Sequence, residues 1–150
     1  MRDWDSKWDH RFLEMAKLVA SWSKDPSTKV GAVIVDEDKR VRGVGYNGFP
    51  TGVQDIDGRL EDREKKYKFI VHAEQNAILN SDLSTMLYAR TGTLYCTMFP
   101  CAGCAKVIIQ CGAISELITP TGAKLARWDD DHKIADEMLF EANIITREIG

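Results

Sequence analysis

The sequence predicts an α/β chain folded in three layers, α/β/α, around a mixed sheet of about five strands. Two observations carry this. Two β-branched runs flank a charged turn near the start, the pattern of a hairpin. From residue 91 onward, strand-like and helix-like segments alternate to the end, which is how a sheet covered by helices is written. The 150 residues suit a single domain over 1–150, and a hydrophobic content of 44% is enough for its core.

Trp8, Phe12, Met15, Val19 and Trp22 step by four and three residues, one face of an amphipathic helix over 5–23 whose stripe is expected to be core. "SKDPSTK" breaks it at Pro26. "VGAVIVD" (30–36) and "VRGVGY" (41–46) are the hairpin strands, joined by "DEDKR". "NGFPTG" (47–52) is dense in turn residues and is read as a loop. Residues 53–66 are polar and highly charged, with no period beyond a short helix near 60–67; a connection this long is usually functional. Helical spacing resumes at Ala73, Ala77 and Ile78. A strand follows over 91–98, then a helix from Cys101 that stops at Gly112, and a strand over 113–120. "DDDHKIADEMLFEAN" (129–143) is a helix with its aspartates at the end where the dipole favours them, and "IITREI" (144–149) is the last strand.

Composition narrows the function classes. No apolar run approaches the ~20 residues of a membrane span. The start, "MRDWDSKWDH", lacks the apolar region of an export signal, so a cytoplasmic location is expected, or the host cytoplasm for a viral protein. A net charge of −3 opposes nucleic-acid binding, which is driven by cations displacing counterions, though a single phosphate on a small ligand needs only one or two local cations. In a reducing compartment the pair Cys101 and Cys104, spaced C-x-x-C, reads as metal-binding or redox rather than disulfide.

His72, Cys101 and Cys104 are the ligand types zinc takes. Cysteines at i and i+3 at a helix start place both sulfurs on one face, and the helix N-terminus favours the thiolate. His72 opens the other predicted helix, so two facing helix N-termini would converge three ligands on one ion. Three ligands suit a catalytic zinc, since structural sites normally close with four. Cys96 and Cys111 read as small buried hydrophobes. Glu74, two residues past His72, either moves a proton for a metal-activated water or merely supports the helix dipole. His10 and His132 lack partners at ligand spacing and read as surface or packing residues.

"HAE" at 72–74 with "PCAGC" at 100–104 is similar to the signature of the zinc-dependent cytidine deaminase superfamily. Over roughly residues 10 to 145, "KVGAVIV", "GYNGFPTGV", "KYKFIVHAEQNAIL" and "TLYCTMFPCAGCAKVIIQCG" resemble its deoxycytidylate branch. Gln75, where the branch has an aliphatic residue, and Trp128, where it has a tyrosine, depart from the pattern. The segment 53–66 holds no cysteine or histidine for the second, structural zinc of some relatives.

The resemblance implies a cytidine-deaminase-like fold and hydrolysis of dCMP to dUMP and ammonia on one catalytic zinc per chain, with Glu74 carrying protons. The Ala73 N–H would donate to the pyrimidine O2, and carbonyls near Met98 to Pro100 would accept from the exocyclic amine. Asn47 matches a sugar contact, or is a turn asparagine tolerating positive φ. Candidates for the phosphate are Ser23, Lys24, Thr28, Lys29 and Arg127. Tyr67 and Trp128 either cover the base or fill core. The resemblance also implies a homo-oligomer, often a hexamer, activated by dCTP and inhibited by dTTP, with magnesium beside the triphosphate and Gly45, Tyr46, Asn47 and Gly48 in the effector site. The glycines there, Gly43 among them, would let backbone approach a ligand closely, or simply serve the hairpin. Against the deaminase reading stand an interaction module stapled by a four-ligand zinc, a thiol redox protein, and other deaminases of the superfamily, acting on cytidine or on tRNA adenosine.

Overall fold

A computed structural model describes residues 3–56, 58–123 and 130–150, with side chains from residue 6 onward. The elements in chain order are α1 (Asp3–Ala20), β1 (Gly31–Val35), β2 (Val41–Tyr46), α2 (Arg63–Phe69), α3 (Ala73–Asn80), β3 (Gly92–Cys96), α4 (Ala102–Gln110), β4 (Ile114–Pro120), α5 (Asp130–Glu141) and β5 (Ile145–Ile149). The five strands form one sheet in the order β2-β1-β3-β4-β5. β1 runs antiparallel to both β2 and β3, while β3, β4 and β5 are parallel, so the sheet is mixed as expected. The hairpin turn folds around the buried Asp36, which accepts the N–H groups of Asp38 and Arg40, each at 2.9 Å, and Arg42 Nε at 2.8 Å.

Alternation along the strands, interrupted in β4 by an extra residue at Ser115, divides the core by face. Ala32, Ile34, Leu94, Ile114 and Leu117 meet Ala73, Ala77, Ile108 and Leu139 on the side of α3, α4 and α5. Val33, Val35, Tyr95 and Ile118 meet Phe12, Leu13, Ala16 and Val19 of α1 on the other.

Helix α1 corrects one expectation. Phe12 and Val19 are core, but Met15 is 36% exposed and Trp22, beyond the helix end, is 52% exposed. The inward face is instead Phe12, Leu13, Ala16, Val19 and Ala20. The reason is a close approach to β1. A Cβ on Gly31 would stand 2.0 Å from Ala16 O and 2.5 Å from Ala20 N, so the helix comes closest to the strand at its alanines, with the larger Phe12, Leu13 and Val19 packed to either side. Trp22 turns outward and meets Tyr46 edge-on, with ring centroids 6.2 Å apart.

Gly43 and Gly45 of β2 serve the same purpose on the opposite face, which corrects the reading of these two as room for a ligand, while Gly48 has open space within 4 Å. A Cβ on Gly45 would fall 2.2 Å from Ala77 N, and one on Gly43 would fall 1.9 Å from Ser81 Oγ. The partner that comes close is helix α3. Asn76 and Asn80, one turn apart on that helix, donate to Tyr46 O at 2.8 Å and Val44 O at 3.3 Å, satisfying carbonyls of the edge strand. The helix that starts at the predicted metal ligand is therefore fastened to the sheet along its length.

Candidate metal centre

The N-termini of α3 and α4 meet beyond the C-terminal end of β3. His72 is the N-cap of α3 and Cys101 the N-cap of α4. The ligand atoms of His72, Cys101 and Cys104 all lie within 4.8 Å of one another. His72 Nδ1 is 3.1 Å from Cys104 Sγ and 3.5 Å from Cys101 Sγ. Tetrahedral zinc with ordinary bond lengths asks for about 3.6 Å between an imidazole nitrogen and a thiolate sulfur. The donor set fits the ion in type and spacing. Among the described residues no further histidine, cysteine or carboxylate joins this cluster.

Local chemistry prepares each ligand. Gln75, a departure from the deoxycytidylate pattern, accepts the N–H of His72 at 3.0 Å and so holds the ligand's backbone at the helix start. Cys101 Sγ accepts the N–H of Cys104 at 3.4 Å. With one proton shared between the thiols, the Cys104 thiol, His72 and the α4 amide draw Cys101 down to about 4, while the bond to Cys101 and burial push Cys104 up. The bond to Cys101 in turn raises the His72 imidazole, against its own burial.

Glu74 is 5% exposed at the first turn of α3. Burial pushes its carboxyl up, its own N–H and His72 pull it back, and the net direction is upward. A buried acid whose proton is held more tightly than usual is suited to exchanging protons at neutral pH. Cys96 is wholly buried, with its thiol kept protonated by burial and by the nearby Glu74 carboxylate, so it is a core residue as expected. Cys111 differs in being only partly buried, because it caps the last turn of α4 and its thiol donates to Ile108 O at 3.1 Å.

His72, Glu74 and Cys101 stand on the wall of a 360 Å³ cleft. Of the residues singled out from the sequence, Thr28, Asn47, Tyr67 and Ala73 line it as well. Ser23, Lys24 and Lys29 do not. Ser23 is buried and donates to Asn47 O at 2.8 Å, and Lys24 pairs with Asp55 at 3.0 Å on the surface. Arg127 and Trp128 lie outside the described residues.

Asn47 organises the cleft wall. Its amide donates to Thr28 O at 2.8 Å and Asp25 Oδ2 at 3.3 Å, and its oxygen accepts from Val30 N at 2.8 Å. Its φ is not positive, so the turn explanation fails. Asp25, 3% exposed, also accepts from Ser27 N at 2.9 Å, Thr28 N at 3.2 Å and Lys66 Nζ at 3.3 Å. Burial raises this carboxyl, but the bonds from Ser27, Thr28 and Lys66 together outweigh it and hold it below the ordinary value.

Sequence reasoning missed Lys66, Asp131 and His132, all on the cleft wall. Lys66 was hidden in a charged run, REKKYKF, and only its burial at 9% exposure distinguishes it. His132 was set aside for want of ligand spacing; it stands edge-on to Phe99, with centroids 6.2 Å apart. Both α5 residues follow a strand parallel to β3, and that position at the same C-terminal end of the strands was the available signal.

Residues 6–121 match the family model described as the cytidine and deoxycytidylate deaminase zinc-binding region. The chain belongs to this family. It is 43% identical over 143 residues to an uncharacterized deaminase of the luxG 3' region of Aliivibrio fischeri, covering 93% of this chain and 91% of that one. It is 49% identical over 109 residues to a probable deoxycytidylate deaminase of Caenorhabditis elegans, 71% of this chain and 54% of the relative's length. The crystal structure of dCMP deaminase from cyanophage S-TIM5 with dCMP and dUMP superposes with a TM-score of 0.72 at 20% identity, over 99% of this chain and 98% of that one, a likeness of fold. This deaminase has no described helix long and apolar enough to cross a membrane.

Proposed function

We propose that this chain, as a single deaminase domain over 1–150, hydrolyses the exocyclic amine of dCMP to give dUMP and ammonia. The observation that carries the reading is the three-ligand cluster with a buried glutamate beside it on the wall of a nucleotide-sized cleft. When bound there, zinc supplies a water acidified to near-neutral pKa. Glu74 takes a proton from that water and delivers it to ring N3, which makes C4 electrophilic. The water's oxygen would add to C4 as Glu74 moves its second proton to the amine, and the C4–N bond would break with loss of ammonia. The Ala73 N–H at the start of α3 holds the pyrimidine O2, and the Met98–Pro100 carbonyls receive the amine.

The substrate follows from the deoxycytidylate relatives. Lys66 is the sole lysine or arginine among the described wall residues, and Asp25 offsets its charge. The surplus positive charge that a phosphate needs is therefore assigned to Arg127, with Thr28 as a hydroxyl partner. Trp128 and Tyr67 cover the base. Control by dCTP and dTTP, with magnesium on the triphosphate, would use the neighbouring 270 Å³ cavity lined by Trp22, Tyr46, Gly48 and Phe49, which shares Asn47 with the cleft. Gly45 would act there only indirectly, through the packing of α3. A homohexamer and a cytoplasmic location complete the reading.

The test is incubation of the purified chain with dCMP, dCTP, cytidine and deoxycytidine, following loss of cytosine absorbance with and without a chelator. dCMP alone should be converted, and chelation should stop it. Glu74→Gln should retain zinc while losing roughly 10²–10⁴ in kcat. Normal turnover by that variant would remove Glu74 from the mechanism. Opposite shifts of the saturation curve with dCTP and dTTP would support the effector assignment.

A further inference from the structure

The N-terminus of α4 carries the two sulfur ligands, and its amides are divided between two acceptors. One is internal, the bond from Cys104 N to Cys101 Sγ. The other comes from a different helix: Ala102 N donates to Asp131 Oδ2 at 2.9 Å, across 29 residues. Asp131 is in the first turn of α5, which packs along α4, and it also lines the cleft.

The N–H of Ala102 and the C=O of Cys101 belong to one rigid peptide plane. A bond that fixes this plane also fixes the direction in which Cys101 leaves the backbone. Helix ends fray, and Cys101 sits at the end of its helix. Its own helix holds the carbonyl side of that plane through the bond from Ala105 N to Cys101 O at 2.9 Å, and gives the sulfur only the long contact from Cys104, so the bond to Asp131 is the anchor on the amide side. The geometry points to Asp131 as a positioning residue that anchors the Ala102 amide and so holds Cys101 Sγ toward His72 and Cys104. This inference rests on the zinc reading of the cluster. Residues just outside a metal's ligands commonly set its affinity in this way, and their loss costs about 10–100-fold.

The experiment measures zinc affinity of the full chain by competition with a chromophoric chelator, together with the absorption spectrum of the cobalt-substituted protein, which reports the thiolate ligands. Asp131→Ala should weaken zinc by about 10–100-fold and perturb the cobalt–thiolate band. Asp131→Asn keeps an oxygen acceptor in place and should stay within about threefold of the unaltered chain. Asp131→Glu keeps the charge but moves the oxygen by a methylene, and should weaken zinc more than Asp131→Asn. That pair decides the question even where the alanine variant does not fold. Unaltered affinity and spectrum in Asp131→Ala, or equal losses in Asp131→Asn and Asp131→Ala, overturn the assignment. An unsubstituted chain that binds no zinc overturns the metal reading itself, which is a separate outcome.

Discussion

Gly45→Ala places a methyl group where the backbone of α3 already lies. The new Cβ would stand 2.2 Å from Ala77 N, 2.6 Å from Ala73 O and 2.7 Å from Asn76 C. Ordinary contact begins at 3.4 Å, so α3 and β2 must separate by about 1.2 Å. None of these three atoms is the movable end of a side chain. Overpacking of this kind costs about 1–3 kcal/mol. For a chain of this size that lowers the melting temperature by about 2–12 °C. Function should suffer more than stability, because α3 starts at His72 and carries Glu74. A displacement of about 1 Å at reacting groups costs on the order of 10²-fold in rate. The assay pairs thermal melts with zinc content and dCMP turnover. Gly48→Ala is the control for stability: nothing lies within 4 Å of its added Cβ, so it should fall within about 0.5 kcal/mol of the unaltered chain. If Gly45→Ala melts with the control and turns over normally, the close approach of α3 to β2 does not position the site.

Three further outcomes are expected. Lys66→Met leaves Asp25 buried without its cation and should cost about 3–5 kcal/mol in urea unfolding, with much of that recovered when Asp25→Asn is added. The pH dependence has a definite sign: Asp25 titrates below its ordinary 3.8 when folded, so its contribution is fully present above that value and is lost as pH falls through the folded pKa. Acid melts between pH 5 and pH 2, taken as about the relevant window, should therefore fall more steeply for the unaltered chain than for the Asp25→Asn, Lys66→Met double variant. Metal removal should expose a reactive thiol. With Cys101 drawn down to about 4 and only half-buried, the chelated protein should alkylate at Cys101 before Cys104 at neutral pH, and zinc should protect both. Equal labelling of the two cysteines, or no protection by zinc, would count against the shared site.

The sequence by itself determined the layers, the mixed sheet and the candidate cluster of His72, Cys101 and Cys104, with Glu74 two residues past His72. Those features follow from local periodicity and from residue types at short, fixed spacings, which need no knowledge of distant contacts. A helix N-terminus can be read from His72 or Cys101 because its chemistry sits within four residues. What the tertiary structure decided depends on which surfaces approach each other. Nothing in the string says why Gly31 and Gly45 interrupt two β-branched strands; the fold uses them to admit α1 and α3 from opposite faces of the sheet. That choice exposes Met15 and Trp22 and buries Ala16 and Ala20, although periodicity allows either stripe. Asp131 and His132 reach the cleft from α5, far in sequence from His72 and the two cysteines, while Lys66 reaches it from α2, just before His72. The place of the α5 pair follows from the packing of α5 along α4, a long-range outcome that no spacing within a single segment encodes.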